Sequence, residues 1–463
     1  MSLAEQMGNI WRIRELRRKL LVTALLLGLC RVGVYVPLPG LNVSALRTYL
    51  ESVSGTPVGQ MLGLVNLFAG GALAYGAVFG LGIMPYISAS IIFQLLASVI
   101  PSLEALRKEG ASGMRKLNQY TRVATVFICL IQGTFLARGL FHIPGIVPQE
   151  VMDSNLLSFR FLFMSGFLLM VGTMFLMWLG EQIDEHGIGQ GTSLVITAGI
   201  LERLPASVSD LYQQIHDAES QQNAILKLIV LLVVFLGVVA AIIHITRGER
   251  RIPVQQQKHV RGPRIYGGQK HYLPLRVNQA GVMPIIFAQS LLLIPAVVAM
   301  AATTAGGEGG FWSRVFKSVG DAISGRTLTF SYVTLYGLLI FFFCYFWTAI
   351  MFNPKEMSEN LQNYGSFIPG IRPGKRTANY LEGIMNRVTV AGSFFLVVVA
   401  LLPMIVGDVL QVGRIARFYG GTTILIVVGV SLDVVRRVND HLEMRRYSGF
   451  GAGASGRRRS RRR

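Results

Sequence analysis

Residues 52–103 read SVSGTPVGQMLGLVNLFAGGALAYGAVFGLGIMPYISASIIFQLLASVIPSL, a run of 52 residues without one Asp, Glu, Lys or Arg. At about 1.5 Å per residue, a single helix of that length would be more than twice as long as the ~30 Å hydrocarbon core of a bilayer. The chain therefore has to fold back within the run. Gly70, Gly71, Gly76, Gly80 and Gly82 interrupt its first part and Pro85 follows, which predicts a short re-entrant helix over about residues 62–75 and a full span over about 81–100. Irregular backbone at membrane depth is tolerated only where protein buries it or a water-filled cavity borders it. The run thus predicts a cavity at its side.

The rest of the chain has the same character. Of 463 residues, 52% are hydrophobic and 15% charged, with a mean hydropathy of +0.49, values that place it in lipid. Ten apolar stretches are centred near residues 28, 90, 131, 170, 196, 235, 291, 342, 398 and 427. All but the fifth reach the ~20 residues that span a bilayer; the fifth, over 192–201, is short and flanked by glycines. The expected fold class is an all-α polytopic membrane protein with ten spans. Spans one to five (20–206) and six to ten (207–436) form two halves that an inverted repeat can relate, because five is odd. Residues 1–19 precede the first span, loops run over about 246–277 and 353–388, and a basic tail, expected to be disordered, covers 437–463. Cys30, Cys129 and Cys344 each fall inside an apolar stretch and read as packing residues. The first apolar run, 20–37, contains Arg31 and ends in Pro37-Leu38-Pro39-Gly40, so it is expected to remain in the mature chain.

The formal net charge is +20, and it is unevenly placed. With both termini on one side, that side holds 33 of the 44 Lys and Arg and a net +19, while the other side is neutral. The positive-inside rule then puts both termini in the cytoplasm. Loop 247–276 carries eight basic residues against Glu249 alone, more than orientation requires, and suits RNA phosphates or an acidic protein surface. The arginines from Arg457 onward suit anionic lipid or RNA.

The spans hold almost no ionisable groups, although catalysis or ion coupling inside a membrane normally needs them. Arg31 is the clear exception, and a structural part is favoured for it, snorkelling or capping a neighbouring helix. No nucleotide-binding loop, metal-ligand spacing or nucleophile elbow appears, so the chain reads as a non-enzyme without cofactors. A secondary transporter for small solutes is the competing class, but the midplane ion site it needs is not visible. A scaffold or insertase without a pore would lack the re-entrant helix. Residues 180–192, GEQIDEHGIGQGT, break the basic pattern and read as a tight turn whose glycines let two helices approach. Ile83 and Ile87, like Thr192 and Ile196, are four residues apart on a helical face. Such side chains can ring a hydrophobic constriction, and they can equally be ordinary packing.

Several segments are specific enough to indicate a family. GGAL at 70–73, LGIMPYISASII at 81–92, KEG at 108–110 with QYTR at 119–122, GEQI at 180–183, NQAGV at 278–282 and PGIRPG at 369–374 resemble the SecY family, in order from the first span to the last. The resemblance implies a clamshell of two five-helix halves around an hourglass pore in the bacterial cell membrane, with a plug at 64–75 that includes Leu64, Asn66, Leu67, Phe68, Gly70, Gly71 and Tyr75. It implies a pore ring of Ile83, Ile87, Ile188, Thr192, Ile196, Ile286 and Ile426, where Thr192 departs from the isoleucine common in the family. A lateral gate would involve Ser88, Gln132 and Asn278. Arg250, Arg251, Lys258, Arg261, Arg264, Arg372 and Lys375 would contact the SecA motor or a translating ribosome. The implied clients are unfolded preproteins with their signal sequences. SecE and SecG would be companion subunits, and SecDF and YidC accessory ones.

Overall fold

The computed structural model describes residues 13–53, 57–141, 143, 145–148, 151, 154–202, 205, 209, 221–256, 259–261, 264–266, 270–288, 291–292, 330–409 and 421–459. Among them, helix occurs at each of the ten expected centres, although at the seventh only 283–288 and 291–292 are described as helical. Among the described residues, five helices are long and apolar enough to cross a membrane, or six if the bent pair Met84–Ala97 and Pro101–Arg107 counts as one span. The described chain forms two compact units, one of Met1–Ala206 with Val430–Arg463 and one of Ser207–Gly429.

In the first unit, α1 (Arg14–Val34) leads through a short irregular stretch to α2 (Val43–Ser52) and α3 (Pro57–Phe68). Then come α4 (Met84–Val99), α5 (Pro101–Lys108), α6 (Ala111–Phe141), α7 (Asn155–His186) and α8 (Gly191–Glu202). Pro101 disfavours a helical conformation at Ile100, which is extended at φ −90°, ψ 116°. The chain accordingly bends by 103° there. α6 has 31 residues, about 46 Å at 1.5 Å per residue, and so outreaches the ~30 Å hydrocarbon core. Its Phe127, Ile131 and Phe135 are exposed at successive i+4 positions, as expected for a stripe whose solvent is lipid. The core joins Cys30 and Val34 of α1 to Leu176 and Leu179 of α7 through Ala69, Ala72, Ala77 and Phe79.

The second unit contains α9 (Gln221–Thr246), α10 (Phe330–Met351), α11 (Pro354–Asn363) and α12 (Lys375–Val409). Val238, Ile242, Ile285, Tyr336, Ile340, Cys344, Leu396 and Leu425 are buried together. Cys30 and Cys344 are thus packing residues. The last helix, α13 (Gly421–Arg459), begins in this unit and continues into the first.

The two large loops form one sheet. β1 (Glu249–Gln256) pairs antiparallel with β4 (Lys270–Arg276), and β5 (Ser366–Phe367) adds to the other edge of β1. The register sets Ile252 opposite Leu273 and Gln255 opposite Phe367. Between β1 and β4, β2 (His259–Arg261) and β3 (Arg264–Tyr266) form a small hairpin closed by the Arg261–Arg264 pair. Ile252, Val254, Leu275, Phe352, Ile368, Leu381 and Met385 make the buried core beneath the sheet.

Candidate functional site

The uncharged run does fold back. Its helix, α3, covers Pro57–Phe68 instead of the expected 62–75, because Pro57 suits the first helical turn and the backbone turns left-handed at Gly70 (φ 61°) and Gly71 (φ 88°). Residues with a Cβ adopt that conformation only at a cost, so glycine ends the helix there. The membrane helix begins at Met84, three residues later than expected, since Gly82 is also left-handed (φ 61°). A Cβ on Gly82 would lie 2.7 Å from the Cα of Ala69, so the two ends of the irregular stretch touch backbone to backbone.

Residues 69–83 are almost entirely buried, and many of their backbone groups are matched. The Gly71 amide donates to the Asn66 carbonyl (2.8 Å) and the Ala77 amide to the Ala72 carbonyl (2.9 Å). The Asn66 Oδ1 accepts from the Ala74 amide at 3.1 Å. Two further bonds reach the stretch after α1, Leu38 N–H to Gly76 C=O (2.7 Å) and Val78 N–H to Val36 C=O (3.0 Å). This accounts for non-helical backbone at membrane depth, where each unmatched group would cost several kcal/mol.

Arg31 caps this segment, as a structural part for it predicts. Its guanidinium donates to the Gly70 carbonyl at 3.2 Å and pairs with Glu202 at the end of α8. The Tyr35 hydroxyl also donates to Glu202, at 3.2 Å. Sequence reading missed Glu202, which lies 171 residues from Arg31 and at the edge of an outer polar segment. The end of α3 also meets α8 at glycines, with a Cβ on Gly70 falling 2.9 Å from the Cα of Gly199.

Of the ring candidates, five belong to the first unit. Ile83 is the buried N-cap residue of α4, and Ile87 closes the first turn through its amide to the Ile83 carbonyl (3.1 Å). Ile188 lies in the α7–α8 turn, where its amide donates to Thr23 Oγ1 (3.0 Å) and its side chain packs with Leu16 and Val438. Thr192 and Ile196 sit in the first turns of α8, Ile196 buried. Ile286 and Ile426 are buried residues of the second unit. Leu64 and Leu67 lie on α3, next to Asn66 and Phe68, which are buried. Ser88 lies on α4 and Gln132 on α6, two helices that pack together. Asn278 follows β4 and donates to the Gly281 carbonyl at 3.1 Å.

Within the acidic segment 180–192, residues 180–186 continue α7, and the tight turn its glycines predict is confined to 187–190. Gly191 sits against the backbone carbonyl of Gly180, and its amide donates to Asp184 Oδ1 at 2.8 Å. Glu181 receives both arms of Arg122, Nε at 2.9 Å and Nη2 at 2.7 Å, the parallel fork that guanidinium and carboxylate make best.

The described basic candidates belong to the two loops of the second unit. Arg250 and Arg251 are exposed at the start of β1. Arg261 and Arg264 face each other across the small hairpin, and Lys258 lies outside the described residues. Arg372 is exposed in the turn after β5, following buried Ile368 and partly buried Ile371, which anchor that turn to the core of the sheet. Its carbonyl accepts from Thr377 Oγ1 (3.0 Å), and Gly370 (φ 83°) and Gly374 (φ 100°) shape the turn. Lys375 follows, exposed, as the first residue of α12.

The family model described as SecY matches residues 77–435. The chain belongs to the SecY family. It is 41% identical to the protein translocase subunit SecY of Thermotoga maritima over 444 residues, covering 96% of each chain. It is also 41% identical to the Escherichia coli K12 protein of that name, covering 94% of this chain and 93% of the relative. Among solved structures, the fold is similar to one described as a protein conducting channel, with a TM-score of 0.60 at 17% identity and 92% of each chain covered. It is similar also to Sec61 in a canine ribosome–channel complex, with a TM-score of 0.56 at 16% identity. The SecY chain thus shares the fold of known protein-conducting channels, and its irregular glycine-rich segment falls partly inside the matched region.

Proposed function

We propose that this SecY chain is the central channel subunit of a bacterial translocase, passing unfolded secretory polypeptides across the cell membrane and releasing membrane segments laterally into lipid. One observation carries this reading most directly. A segment without a single charged side chain folds back on itself, held by hydrogen bonds within it and to residues 36–38, an arrangement suited to a displaceable plug and of no evident use to a solid helix bundle. Ten spans in two five-helix halves with both termini in the cytoplasm agree with the charge asymmetry.

Ile83, Ile87, Ile188, Thr192, Ile196, Ile286 and Ile426 are the proposed hydrophobic constriction, which blocks ions by dewetting and yields to a chain in transit. Ser88, Gln132 and Asn278 are the proposed polar residues of the lateral gate. Driving force comes from a partner, SecA or a translating ribosome, engaging Arg250, Arg251, Lys258, Arg261, Arg264, Arg372 and Lys375. Arginine suits either surface because its planar fork matches carboxylate and phosphate. SecE and SecG complete the membrane complex, with SecDF and YidC as accessory partners.

Crosslinking tests the path. A stalled secretory chain carrying a cysteine is expected to form disulfides with Ile87→Cys and with Ile286→Cys, and absence of both crosslinks overturns the passage. Deletion of residues 64–75 is expected to raise the resting ion conductance of the reconstituted complex at least about tenfold, since water then crosses a cavity from which hydrocarbon and protein are both missing. An unchanged conductance argues against the plug.

A further inference from the structure

The bonds that hold residues 57–83 divide into two kinds. The Asn66–Ala74, Gly71–Asn66 and Ala77–Ala72 bonds lie inside the segment and would travel with it unchanged. Backbone pairs at Gly76 and Val78 tie its far end to residues 36–38, next to the irregular residues 78–83, where a pivot belongs. Among the described residues, side chains from outside the segment also hold it, at Gly70 and at Tyr75. Arg31 grips the Gly70 carbonyl and Glu202, and Tyr35 also holds Glu202. The Tyr75 ring stands edge-on to Tyr35 with centroids 5.1 Å apart, and the Arg47 guanidinium lies 4.2 Å above its centre.

We propose that Arg31, Glu202, Tyr35, Tyr75 and Arg47 form a clasp that holds the re-entrant segment in its seat and sets how readily it leaves. The proposal rests on the plug reading and names the positioning residues that govern it. Phe68, Ala69, Ala72 and Leu73 bury apolar surface beside Gly70, which holds the segment without direction. The polar contacts add a hold that is directional and can be removed one side chain at a time. The ion pair is also only partly shielded, with side chains 25% and 26% exposed. Water can reach both charges when the segment swings away, so release does not strand a buried ion, as breaking a deeply buried pair would. One guanidinium nitrogen, Nη1, serves the carbonyl and the carboxylate together.

The test uses the full complex in lipid vesicles with Ala72→Cys as reporter. Ala72 is fully buried, and the native Cys30, Cys129 and Cys344 are buried too, so a membrane-impermeant maleimide labels the reporter only when the segment leaves its seat. Glu202→Gln is expected to raise the labelling rate about tenfold, and Arg47→Gln, a substitution at an exposed residue, severalfold. A parent-like rate in either folded variant overturns the clasp. Ion leak, measured on the same vesicles, separates this proposal from the plug reading. Faster labelling with unchanged leak leaves the clasp standing and removes the seal. Raised leak with parent-like labelling removes the clasp alone.

Discussion

Arg372→Glu is expected to lower SecA-driven translocation more than about a hundredfold while leaving the amount and thermal stability of the folded complex unchanged. The substitution converts a proposed attraction to an acidic or phosphate surface into a like-charge contact, a change of several kcal/mol, and each 1.4 kcal/mol is tenfold. Folding is spared because the Arg372 side chain is exposed and the turn is anchored by Ile368, Ile371 and the Thr377 hydroxyl on the Arg372 carbonyl. Exposed substitutions of this kind shift stability by about 0.5 kcal/mol or less. Transport of a preprotein into vesicles, measured beside the melting profile of the purified complex, checks both halves. Normal transport by the variant refutes the assignment, and a lowered melting temperature would show that the turn needs the arginine for its own shape.

Gly191→Val is expected to do the reverse, removing the folded protein itself. Any Cβ at 191 runs into the Gly180 carbonyl of α7, and backbone on a packed helix has nowhere to yield. Overpacking of this sort costs about 1–3 kcal/mol or more, and the valine also strains the amide that donates to Asp184. The expected outcome is loss of most monodisperse protein after detergent extraction, seen by size-exclusion chromatography. Gly237→Val, at a glycine with open space around it, is the matched control and is expected to extract normally.

These cases illustrate what could be read from the residues. The folding back of 52–103 followed from charge and length alone, and the tight turn within 180–192 from its glycines, although its first seven residues are helical. The helix limits of the re-entrant segment did not, because its five glycines mark breaks without stating which turn left-handed, as Gly70, Gly71, Gly76 and Gly82 do and Gly80 does not. The Arg31–Glu202 pair was half legible. An arginine inside an apolar span announces that a partner exists, but only folding brings a residue 171 positions away into reach. The fork between Arg122 and Glu181 was invisible for the same reason, as was the joining of the two basic loops into one sheet.

That sheet bears on biogenesis. β4 follows β1 closely in the chain, so their hairpin can form as soon as residue 276 is available, whereas β5 lies about 110 residues beyond β1. At about 5–20 residues per second, the outer edge of β1 is synthesised several seconds before its neighbour, with α10 to be inserted in the interval. An open strand edge invites pairing with other nascent chains. Here Pro253 removes an amide from the middle of β1, Arg250 and Arg251 place charge at its start, and β5 covers only Gln255 and Gln256. The edge that waits longest is thus one that a stray strand would find hard to extend.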